Sequence, residues 1–176
     1  MPSFAKDLQL LDHDLQLLRA AARGDKRELG RAVERFYPVI VGLACHRLKD
    51  FTAAQPQADA VARGVFLSLL RGDVVPEDFA RETAGNLEHC VPVTDDGDGS
   101  EGLHSLHGAG KLVRRRAAGR VIRELPLAPL LALLLRYHAS WTTEAMLGIV
   151  ADTPDDVREA LVSGHRAVVE AMRGGG

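Results

Sequence analysis

Four side chains with metal-binding atoms, His89, Cys90, His104 and His107, fall within one short stretch of the 176-residue chain. Imidazole and thiolate are the usual zinc ligands, but their spacing here fits no compact finger pattern. The stretch reads as a linker with scattered histidines, and no metal or other cofactor is expected. Asp96-Gly-Asp-Gly-Ser-Glu101 is rich in oxygen ligands, yet it lacks the glycine and the terminal glutamate of a calcium loop, and it too reads as solvated linker. Cys45, beside His46, lies on an apolar helix face, where a packed thiol is expected and not a nucleophile. No Gly-rich phosphate loop, Ser/His/Asp order or carboxylate pair in a shaped context occurs, so neither an enzyme nor a small-molecule substrate is expected. The remaining chemistry is cationic. Arg116, Arg120 and Arg123 share one face of the basic run Lys111–Arg123 and suit a nucleic-acid backbone. The alternative is a solvated face paired with Asp95, Asp96 and Asp98. Arg158, His165 and Arg166 could touch DNA from the last helix, with Thr142 or Thr143 on a phosphate; the alternative is a charged surface helix.

The elements that must position these groups are helical. Leu8, Leu11, Leu15, Leu18 and Ala22 recur at three- and four-residue spacing. Gly24 then breaks the pattern, and Asp25 with Glu28 forms a capping box for a second helix. Pro38 predicts a break or kink near Tyr37. A third helix is expected from about Gln57 to Leu70, and a short one after Val74-Val-Pro-Glu-Asp-Phe79. Leu130, Leu131, Leu134 and Tyr137 line a later helix, and Thr142-Thr-Glu144 opens a short one through Val150. Thr153-Pro-Asp-Asp156 marks a strong final start: threonine as N-cap, proline in the first turn, Asp156 reaching back. No strand pattern and no solenoid repeat occurs. The short helix and the last one make a helix-turn-helix candidate over Thr142–Arg166.

Hydrophobic residues make up 46% and the formal charge is -2, which fits a globular chain and excludes a general polyanion binder. Two cysteines make no disulfide framework. The first residues lack the apolar core of a secretory signal, and the longest apolar run, Leu125–Leu135, is interrupted by Pro126 and Pro129. A cytoplasmic protein without membrane insertion is expected.

Several of these residues together resemble a family. Leu17-Leu-Arg-Ala-Ala-Ala-Arg-Gly-Asp-Lys-Arg-Glu-Leu29, followed by Phe36-Tyr-Pro38, is similar to the opening of region 2 in extracytoplasmic-function sigma factors. Val65-Phe-Leu-Ser-Leu-Leu-Arg71 resembles the end of the helix that meets the polymerase clamp. Leu125-Pro126, Leu133-Leu-Leu-Arg-Tyr137 and Thr143-Glu-Ala-Met-Leu147 resemble region 4, the helix-turn-helix that reads the upstream promoter element. The resemblance implies a bacterial transcription regulator of the sigma-70 type. Its fold would be all-α, with a region 2-like bundle over 7–90, an acidic Gly-rich linker over 91–110 and a region 4-like unit over 111–173. Asp59, Arg63 and Phe66 would meet RNA polymerase core, and the residues of the last helix would meet promoter DNA.

The chain also departs from the family. On the clamp-facing helix Asp59 is the only acid, Arg63 adds a positive charge, and Gly64 sits inside the helix at a cost of about 1 kcal/mol against alanine. The strand-opening helix of the family carries tryptophan and a run of arginines; Phe79-Ala-Arg-Glu-Thr-Ala-Gly-Asn86 has neither. Asp155 and Asp156 open the recognition helix, where phosphates would approach. A second expectation follows: a degenerate sigma-like scaffold that binds protein, mimicking a sigma factor toward an anti-sigma factor or another transcription partner, without promoter recognition.

Overall fold

The computed structural model describes residues 10–90, 119, 121 and 123–173. These residues form an all-α protein. Helices α1 (Asp12–Ala22), α2 (Lys26–Leu48), α3 (Phe51–Arg71) and α4 (Phe79–Glu88) come first; α5 (Leu127–Tyr137) and α6 (Pro154–Arg173) follow. Gly119, Val121, Arg123 and Glu124 are also helical, and 3-10 turns at Pro76–Asp78 and Glu144–Met146 precede α4 and α6. The expected linker 91–110 lies outside the described residues, as do His104, His107, Arg116 and Arg120.

Local signals set the helix ends. Asp25 accepts bonds from the backbone N–H groups of Arg27 (3.0 Å) and Glu28 (3.1 Å), which caps α2. Glu28 does not reach back to complete a capping box; it binds Arg31 at 2.8 Å. The break expected near Tyr37 does not occur, and α2 runs on through Pro38 for 23 residues. Burial of Phe36, Val39, Ile40 and Leu43 on both sides of the proline outweighs the one backbone hydrogen bond it removes. Two residues, Lys49 and Asp50, then turn the chain. Lys49 takes the left-handed conformation (φ 56°), and Asp50 caps α3 through the N–H groups of Thr52 (2.7 Å) and Ala53 (3.0 Å). This cap starts α3 at Phe51, a turn and a half before the expected Gln57, with Pro56 inside the helix.

The centre of the first four helices is aromatic. Phe79 lies between Phe36 and Phe66, with ring centroids 5.1 Å from each. Each buried ring contributes about 1.5–3 kcal/mol. The same core continues without a gap into Leu130, Leu131, Leu135, Met146 and Val157. Helix α5 packs on α2 where Gly42 meets Leu131, and a Cβ at Gly42 would overlap that leucine. Helix α6 packs on α5 with Gly164 against Leu133.

The short helix expected from Thr142 to Val150 is a single 3-10 turn followed by a tight loop. Gly148 is the reason. Its φ of +76° cannot continue a right-handed helix, and a side chain there would sit 2.6 Å from Leu11.

Candidate functional site on the C-terminal helices

Helix α6 starts as its sequence predicts. The Thr153 hydroxyl accepts from the N–H of Asp156 at 3.2 Å and donates to its carboxylate at 2.6 Å. Pro154, Asp155 and Asp156 occupy the first turn, where carboxylates suit the positive end of the helix dipole. Arg158 is exposed and pairs with Asp155 at 2.5 Å. His165 and Arg166 are exposed about two turns further on. His165 meets Tyr137 of α5, ring edge to face at 5.4 Å, with the phenol oxygen bonded to its Nε2.

The Thr142 oxygen accepts from the N–H of Ala145 at 3.2 Å, and its hydroxyl bonds the Glu144 carboxylate. Thr143 is half-buried, and Glu144 beside it is exposed. The Glu144 carboxyl is held below its ordinary range, first by a bond from its own backbone N–H, then by Thr142 and the charges of Arg158 and Arg136. Arg123 is exposed near the start of α5, remote in sequence from the cations of α6.

The three residues matched to a polymerase contact separate by environment. Asp59 is exposed and accepts a bond from the Tyr37 hydroxyl, which pushes the phenol pKa up. Arg63 is exposed one turn on. Phe66 is only 6% exposed and belongs to the core against Phe79. The solvent face of that stretch of α3 is supplied by Leu67 and Leu70 instead.

The two cysteines are internal, and His89 is exposed. Cys45 is fully buried and its thiol pKa is pushed up to about 12, chiefly by desolvation and secondarily by Asp50. Cys90 donates weakly toward Gln57 and the Asn86 carbonyl, and burial raises its pKa. His89 bonds the Gly85 carbonyl through Nδ1 at 2.7 Å. Among the described residues no group of three or more His, Cys, Asp or Glu side chains could hold a metal ion. A cavity of about 490 Å³ lies between the segment before α5 and the end of α6, lined in part by Glu124, Pro126, Ala167 and Glu170.

One polar cluster was not anticipated from sequence. Asp14 on α1 has no exposed side-chain surface, and its Oδ1 accepts from Arg35 Nε of α2 at 3.0 Å. Its other oxygen faces the N–H of Leu11 at 3.3 Å. The Arg35 guanidinium also donates to the carbonyl of Ala145 and lies 4.4 Å over the ring of Trp141. One side chain thus ties α1 and α2 to the segment between α5 and α6. Its sequence signal was an acid at a core position of α1, three residues after Leu11 and four before Leu18, facing a cation one residue before Phe36.

Among the described residues no helix is long and apolar enough to cross a membrane. No family model matches the chain, and none of the curated proteins matches it.

Proposed function

We propose that the chain is a sigma-like helical scaffold that works as a protein-binding module in transcription control, engaging an anti-sigma factor or another transcription partner without reading a promoter. The outward face of α6 carries this reading. The helix in the recognition position turns Val162, Val169 and Met172 to solvent and opens with Asp155 and Asp156. Apolar side chains and carboxylates are poor groups for phosphates, which supply most non-specific affinity for DNA. From Leu125 to Arg173 the four arginines are outnumbered by six carboxylates. The test is fluorescence anisotropy with labelled duplex DNA at low salt, run beside co-precipitation with RNA polymerase core. No saturable duplex binding and no core capture are expected.

A second reading, a sigma-type regulator whose partners are polymerase core and promoter DNA, has one observation in its favour. Arg158, His165 and Arg166 are all exposed on α6, as are Asp59 and Arg63 on α3. Salt-dependent duplex binding that falls on Arg158→Ala and Arg166→Ala would establish it in place of the first.

A further inference from the structure

The solvent side of α6 carries a repeat. Val162, His165, Val169 and Met172 succeed one another at intervals of three, four and three, the spacing of a coiled-coil seam. Val162 is 56% exposed, Val169 44% and Met172 57%. Tyr137, 66% exposed, widens the patch through its contact with His165. Toward the start of the helix the repeat continues with Arg158 and Asp155, which neutralise one another. Half-buried Leu161 and Val168 flank the seam on one side; exposed Glu159, Arg166 and Arg173 flank it on the other.

We infer that this seam pairs antiparallel with α6 of a second copy of the chain. The inference rests on the reading that the outer face of α6 takes protein and not DNA. About a two-fold axis near Ser163, Val162 of one copy meets His165 of the second copy, and Arg158 meets Val169. In an antiparallel pair each flank meets its own kind. The apolar flanks, Leu161 and Val168, which pack in part on the chain's own core, bring their exposed edges together. The charged flanks set Glu159 against Arg166 of the second copy, and by symmetry the pair forms twice. A parallel pair would set the charged flank against the apolar one and leave these charges unmatched. Antiparallel pairing also brings the acidic first turn, Asp155 and Asp156, to the end that carries Arg173, so charges and helix dipoles both favour it.

Sedimentation of the full chain tests the pairing. The wild type is expected to show twice the monomer mass of 19.0 kDa at micromolar concentration. Val169→Asp is expected to be monomeric. Glu159→Arg or Arg166→Glu alone should raise the dissociation constant by at least about tenfold, and the two together should restore it. These residues are exposed, and an unchanged helical circular dichroism spectrum checks that each variant folds. A monomeric wild type, or single reversals without effect, or a double reversal that fails to rescue, overturns the pairing. A monomer that ignores duplex DNA ends the pairing alone; a monomer that binds duplex DNA through Arg158 and Arg166 ends the protein-binding reading as well.

Discussion

Asp14 is a charge without access to water, and Arg35 is what makes it tolerable. Removing Asp14 leaves the largely buried Arg35 with only the Ala145 carbonyl and the Trp141 ring as partners. Asp14→Ala is therefore expected to cost about 3–5 kcal/mol in urea unfolding. Replacing both, Asp14→Leu with Arg35→Met, is expected to cost much less than the single change, since apolar packing substitutes well for a desolvated ion pair. A double variant as unstable as Asp14→Ala would mean that the bond from Arg35 to the Ala145 carbonyl carries the stability instead. Cys45 gives a second residue-level prediction. Its folded pKa is raised to about 12 from an ordinary value of 9.0, so the native state keeps its proton where the unfolded state loses it. That contribution is complete below pH 9 and is lost as pH rises toward 12. Stability should fall across this window by up to about 1.4 kcal/mol per pH unit more in the wild type than in Cys45→Ala. Parallel pH slopes in the two proteins would remove the thiol from the account.

At the scale of elements, the ends of helices are where a few atoms decide the fold. Thr153→Ala removes the cap of α6 and should lower stability by about 1 kcal/mol. Lys49 holds a left-handed conformation that glycine adopts freely, so Lys49→Gly should raise stability by roughly 0.5–1 kcal/mol. Thermal unfolding of both variants checks the opposite signs. The caps at Asp25 and Thr153 were legible in the sequence because a cap needs only its own next three residues. Asp50 was equally available as a cap, but the expected start was placed at Gln57, just past Pro56. The unbroken α2 was hidden for a different reason: what outweighs Pro38 is the burial of the turns on either side of it, and that burial depends on helices far along the chain. The same holds for Gly148, whose conformation is fitted to Leu11, and for Arg35, whose partners come from three separate segments. All-helical architecture and the exposed cations of α6 could be read from spacing. Phe66 could not be placed in the core, nor the apolar seam of α6 on the surface, until it was known which helix faces meet.

For the molecule as a whole, one apolar core joins α1–α4 to α5 and α6. The described helices should therefore melt together. Trp141, the only tryptophan in the chain, lies under Arg35 at the junction. Its fluorescence and the far-ultraviolet circular dichroism should follow the same urea transition. An earlier fluorescence transition would mean that the C-terminal helices detach first. Gly42→Val should push α5 from α2 and lower that shared midpoint, by about 1–3 kcal/mol of stability. The Arg35 junction has a further consequence for how the protein is born. Its contact with Ala145 spans 110 positions of chain. At ribosomal speeds of about 5–20 residues per second, the nascent guanidinium waits on the order of ten seconds for its last neighbour to emerge. Through that interval Arg35 has Asp14 but neither Ala145 nor Trp141, so the newborn chain is expected to expose a charged notch that the finished protein keeps shut.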